Sequence, residues 1–118
     1  MYIMIFTESQ IIGIKQEFRQ LEKKLKKLGF SRWTWDLDMV IYDKKYHSNG
    51  IDYYLRIPGK VVNEKALEHP QAMVELESQI FARHFFPHGL DNDAEIPEDL
   101  SESVESKLAE VHKNLTKS

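Results

Sequence analysis

Apolar residues Ile14, Phe18, Leu21, Leu25 and Leu28 recur at intervals of four and three, which lines them along one helical face. Gly29 follows as a left-handed stop, with Phe30 placed to fold back over the last turn. Upstream, Ile11-Ile12-Gly13-Ile14 is β-branched around a glycine that would cost about 1 kcal/mol inside a helix. The pattern therefore predicts an extended segment through residue 13 and a helix from about residue 15.

The period changes after the helix. In residues 32–42 the odd positions Trp33, Trp35, Leu37, Met39 and Ile41 alternate with Arg32, Thr34, Asp36 and Asp38, as in one half-buried strand. In residues 51–57 the odd positions Ile51, Tyr53, Leu55 and Ile57 are again apolar. If both odd sets share a face, opposed residue numbers sum to an even number. A three-residue loop, Ser48-Asn49-Gly50, meets that condition and sets Ile41 opposite Ile57. A two-residue Asn49-Gly50 turn opposes the two faces and is rejected on this reading.

Pro58-Gly59 closes that strand, and residues 60–70 form a polar connection ending at Pro70. Ala72, Val74 and Leu76 alternate with Met73, Glu75 and Glu77 as a further strand. The apolar run Ile80-Phe81-Ala82 with Phe85-Phe86 either extends it or forms a short turn, stopped by Pro87 and Gly89. A C-terminal helix follows, with Ser101 as N-cap, Glu102 and Glu105 in the first turns, and a stripe of Val104, Leu108, Val111 and Leu115. This order predicts an α+β fold: an antiparallel sheet of about four strands with two helices packed on one face.

Composition narrows the class without naming a reaction. A chain of 118 residues, 42% hydrophobic and 30% charged, fits a single domain over residues 1–118. It has no cysteine, which removes disulfides, thiolate metal sites and cysteine nucleophiles. The opening MYIMIF is too short for a signal-peptide core or a membrane span. A cytoplasmic protein without membrane contact is expected.

Net charge is only −3, but it is unevenly spread. Lys15, Arg19, Lys23, Lys24, Lys26 and Lys27 face only Glu17 and Glu22 in their stretch, and residues 91–105 carry acids without a base. The lysines sit where cations complement a helix C-terminus, so they need no nucleic acid to explain them.

Three constellations carry potential chemistry. His84 and His88 are spaced four apart, and Asp91 follows as a carboxylate donor, a set that suits a divalent metal. Pro87 and Gly89 disfavour the regular helix that the zinc His-x-x-x-His motif needs, so a structural turn is the leading expectation. Asp36 and Asp38 share one strand face about 7 Å apart, too far for direct proton sharing, with Arg56 within reach across the ladder. Tyr42, Tyr54, Arg56, Lys44 and Lys45 have the content of an aromatic-basic nucleic-acid platform. The specific RNA-binding sheet signature is missing and the chain is acidic, so nucleic acid is not an expected partner.

Three stretches, GFSRWTWDLDMVIYDKKY, YYLRIPGKVV and HFFPHGLD, together resemble the YugN-like family of small bacterial proteins, over about residues 11–115. The family-like positions are Trp35, Asp36, Tyr54, Arg56, Pro87, His88 and Gly89; Leu37 departs from the usual pattern. The resemblance implies a compact cytoplasmic α+β protein and brings no activity, cofactor or catalytic residue with it. A non-catalytic interaction or regulatory domain is the first expectation, self-associating as a homo-oligomer through a sheet edge or aromatic face. The alternative is a divalent-metal or small-ligand site, with enzymatic chemistry open, around His84, His88, Arg56, Asp36 and Trp35. No cofactor is predicted beyond such a metal.

Overall fold

A computed structural model describes residues 11–84, 90–91 and 95–116. In chain order these form β1 (Lys15–Glu17), α1 (Phe18–Lys27), β2 (Ser31–Trp35), β3 (Met39–Ser48), β4 (Ile51–Val61), β5 (Met73–Leu76), β6 (Ile80–His84), β7 (Leu90–Asp91) and α2 (Glu98–Thr116). The strands pair antiparallel in the order β1-β5-β4-β3-β2, with β6 beside β4 and β7 beside β6. The α+β class holds. The strand count of about four does not: among the described residues the sheet has seven strands, some very short.

The first helix starts later than expected, at Phe18, because Lys15–Glu17 is spent as a strand against β5. A turn at Gly13 (φ +86°) sets this up, and the Gly13 and Leu76 backbones are linked by the 2.8 Å bond from Gly13 N to Leu76 O. At its other end α1 closes as the sequence predicts. Phe30 N bonds Leu25 O, Gly29 N bonds Lys26 O, and Gly29 takes φ +94°, the paired bonds of a Schellman stop.

The stretch 32–42 is not one strand but two. Asp36 Oδ1 accepts the backbone N–H groups of Asp38 (3.0 Å) and Met39 (3.1 Å), turning the chain between β2 and β3. A bulge within β2 then shifts parity: Arg32 pairs with Tyr42, whereas Trp35 pairs with Val40. Even-numbered Arg32 and odd-numbered Trp35 thus share the face of Tyr42 and Val40. Strict alternation could not place them together.

The β3–β4 hairpin overturns the expected register. Asn49 (φ 52°) and Gly50 (φ 78°) both lie in the left-handed region, as a two-residue type I′ turn requires. Ser48 pairs with Ile51 and Tyr42 with Ile57, so Ile41 meets Pro58 instead of Ile57. The rejected turn is the real one. Inward residues are even on β3 (Val40, Tyr42) and odd on β4 (Tyr53, Leu55, Ile57), so the two odd sets need not share a face.

One edge of β4 serves two partners. Residues Tyr53, Tyr54, Leu55 and Arg56 pair with β6, and Gly59, Lys60 and Val61 pair with β5. Ile80-Phe81-Ala82 therefore lies in a separate strand, not an extension of β5, while Phe85 and Phe86 lie outside the described residues. Pro58 sits at the handover, where its carbonyl accepts from Glu77 N (2.9 Å) and its missing N–H falls at the break. A Cβ on Gly59 would lie 2.6 Å from Val74 Cγ1. Gly59→Ala is expected to cost about 1–3 kcal/mol by overpacking. Chemical denaturation of the single and Gly59→Ala/Val74→Ala variants checks this: the double should cost less than the sum of the singles.

Phe18, Leu21 and Leu25 of α1 and Leu100, Val104, Val111 and Leu115 of α2 join Val40, Tyr42, Leu55, Ile57, Val74, Leu76 and Phe81 in one core. The second helix begins at Glu98, ahead of Ser101, whose hydroxyl instead donates to Glu98 O within the first turn. Ser48 Oγ donates to Asp99 Oδ2 at 2.7 Å and ties the helix start to the β3–β4 hairpin. Among the described residues, no helix is long and apolar enough to cross a membrane.

Candidate functional site

The bulge in β2 turns Arg32 toward α1, where its guanidinium is held on three sides. Nε and Nη2 donate to the two carboxylate oxygens of Glu22 at 2.7 and 3.2 Å, a bidentate pair. The ring centroids of Phe18 and Trp35 lie 5.2 and 4.7 Å from Arg32 Cζ. Tyr42 donates its hydroxyl to Glu22 Oε1 at 3.2 Å, fixing that carboxylate from below. The remaining side of the fork, Nη1, donates to Glu68 Oε1 at 2.9 Å.

The electrostatics follow from this packing. Burial opposes the Arg32 charge, but the hydrogen bonds and charges of Glu68 and Glu22 outweigh it and raise its pKa. Burial, reinforced by the Glu22 charge, pushes the Tyr42 hydroxyl far above the ordinary tyrosine range, so it acts as a fixed donor. A cleft of about 620 Å³ opens beside Arg32, lined by Lys26, Gly29, Phe30, Ser31, Arg32, Trp35 and Glu68. Next to it, Trp33 and Leu37 are 67% and 76% exposed, and Trp35 is half exposed. Within the described sheet, β2 is an end strand whose ladder partner is β3.

The residues singled out from the sequence do not converge. Trp35 lines the cleft, and Asp36 turns the chain just beyond it. Arg56 is buried on the other sheet face, where Nε donates to Asp43 Oδ1 at 3.0 Å, and is not the partner of Asp36 or Asp38. His84 ends β6, past the Tyr53–Arg83 pair and hence near the Asp52 row of β4. The Trp35 row is that of Val40 and Gly59, roughly 23 Å along β4 from the His84 row. His88 lies outside the described residues, as do Pro87 and Gly89; Asp91 is described only as backbone pairing with Arg83. Among the described residues, no three His, Asp or Glu side chains gather as a metal set.

One further expectation changes. Asp36 and Asp38, expected about 7 Å apart, are brought into hydrogen-bond contact by the turn. The backbone and side-chain hydrogen bonds of Asp38 lower the Asp36 pKa, and the Asp36 carboxylate raises that of Asp38. Of the five residues with the content of a nucleic-acid platform, Tyr42 and Arg56 are buried. Sequence reasoning missed Arg32 as a centre, along with Glu22 and Glu68. The available signal was Glu22 itself, an acid beside Leu21 on the apolar stripe of a lysine-rich helix.

The arrangement defines a class: a small α+β domain whose two helices cover an antiparallel sheet, with an arginine-centred cleft beside an aromatic end strand. A model of the YugN-like family matches residues 7–115, and the chain belongs to that family. It is 34% identical over 87 residues to a Bacillus subtilis (strain 168) protein described as uncharacterized protein YlbA, covering 73% of this chain and 72% of that one. Its fold is similar to the crystal structure of the uncharacterized conserved protein YugN from Geobacillus kaustophilus HTA426. The TM-score is 0.80 at 31% identity, over 95% of this chain and 94% of that chain.

Proposed function

We propose that this protein is a non-catalytic cytoplasmic interaction domain that self-associates through β2. The observation that carries the reading is the end strand itself. β2 carries an inward charge at Arg32 and a bulge, both of which blunt a sheet edge, yet it also presents exposed Trp33 and half-exposed Trp35, with Leu37 in the turn after it. The bulge limits how long a ladder this edge can form, which favours a short, aromatic-centred contact over an extended shared sheet.

A second copy is the occupant the sequence of β2 suits best. In an antiparallel pair centred on Thr34, Trp33 of one copy lies beside Trp35 of the other, twice over by symmetry. The lack of cysteine supports a reducing compartment.

Sedimentation equilibrium over a wide concentration range tests the reading. The wild type is expected to shift from monomer to dimer, and Trp33→Lys to weaken the dimer by about 2 kcal/mol, roughly 30-fold. Trp33 is exposed, so the variant should keep the wild-type circular dichroism spectrum. A wild type that stays monomeric throughout would sink the proposal.

A further inference from the structure

The two acids on Arg32 are not equivalent. Glu22 is mostly buried, grips the guanidinium by two bonds and receives Tyr42 as well. Glu68 lies on the connection between β4 and β5, and its side chain is 69% exposed. Exposed ion pairs of this kind contribute little, because water and side-chain entropy offset the attraction. Arg32 is thus rigidly aimed by one acid and only lightly covered by the other.

The surroundings extend that asymmetry into a site. The Nη1 edge faces a cleft of about 620 Å³, within the size range of small-molecule pockets. Trp35 supplies a flat, half-exposed wall. Gly29 leaves the floor bare, and the Lys44 ammonium would lie 3.2 Å from a Cβ built there. Lys26 lines the rim and reaches Glu22 at 3.8 Å. Arg32, Lys26 and Trp35 therefore line the cleft that Glu68 reaches into, with the Lys44 ammonium close to Gly29.

We propose that this cleft binds small aromatic carboxylates: the ligand carboxylate displaces Glu68 from Arg32 Nη1, and its ring lies against Trp35. Glu68 acts as a built-in competitor that satisfies the guanidinium when the cleft is empty. A guanidinium with fixed geometry suits a planar carboxylate better than a point cation would. The cleft shares Trp35 with the self-association surface proposed for β2, and the Trp33→Lys chain, which keeps Trp35, separates the two.

The test is a titration of the full chain with 2-naphthoate and with neutral 2-naphthamide, followed by the Trp35 indole N–H resonance. The two tryptophans are distinguished by assigning the spectrum with Trp33→Lys. Saturable shifts are expected with 2-naphthoate, with at least tenfold weaker binding of the amide. Glu68→Ala, a change at an exposed position, should tighten 2-naphthoate three- to fivefold. Arg32→Lys should weaken it at least tenfold while the circular dichroism spectrum is retained. Equal binding of acid and amide, no saturable shift in the wild type and Glu68→Ala, or weaker binding after Glu68→Ala would each overturn the proposal. A titration unchanged in the Trp33→Lys monomer separates this outcome from that of the dimer.

Discussion

Asp43→Ala is expected to destabilise the fold by about 3–5 kcal/mol, because it removes one partner of a buried ion pair and leaves the Arg56 charge without that compensation. The side chains of Arg56 and Asp43 are 10% and 6% exposed, and their 3.0 Å contact runs between directly opposed residues of β3 and β4. Asp43→Asn keeps an acceptor for Arg56 Nε, so it should cost less, and the difference reports the charge itself. Replacing both residues by Leu and Met should return most of the loss, since such pairs seldom outperform apolar packing.

The pH dependence has a definite sign. Burial raises the Asp43 carboxyl above the ordinary aspartate range, although the hydrogen bond and charge of Arg56 pull it down. The folded state therefore holds that proton more tightly than the unfolded chain, and stability falls as pH rises between the ordinary and the raised value. The gap between wild type and Asp43→Ala should widen as pH is lowered through that window. Urea denaturation across it checks the sign; a gap that narrows would mean that the Arg56 charge, not burial, governs Asp43.

The same pair explains what was legible in the chain and what was not. Helical stripes depend on local spacing, so Leu21, Leu25, Val104 and Val111 could be placed from sequence. Register depends on parity, and a rule that both odd sets share a face chose the wrong turn. Charges held the better signal. The even-sum register would set Asp43 against Leu55 and Arg56 against Tyr42, whereas the observed one pairs Asp43 with Arg56 and His47 with Asp52. The Asn49-Gly50 dipeptide pointed the same way.

The candidate site was less legible still, for a physical reason. Trp35 stood out as an aromatic, but its juxtaposition with Arg32 depends on a one-residue bulge that alternation cannot foresee. Glu22 and Glu68 reach Arg32 from α1 and from the β4–β5 connection, contacts spanning 10 and 36 residues. The turn at Asp36 was legible in principle, because an aspartate two residues before Asp38 is suited to bond its backbone N–H. Reading the stretch as one strand hid it.

The second large effect is expected at Phe81→Ala, about 3–5 kcal/mol for a buried phenylalanine. Phe81 is almost wholly buried, lies opposite Leu55, and stacks on Tyr53 with ring centroids 5.4 Å apart and planes 19° from parallel. The loss should not spread evenly. The segment around Phe81 is tied to β4 at Tyr53–Arg56, while β5 is tied to the same edge at Gly59–Val61, across the break at Pro58. A cavity at Phe81 removes packing from the first contact and leaves Val74 and Leu76 in place around the second. Hydrogen exchange should therefore show amides of β6 losing protection before those of β5. Simultaneous loss would mean that the edge of β4 opens as one unit and that the proline break does not divide it. Separate loss would make β6, with His84 at its end, locally weaker than β5.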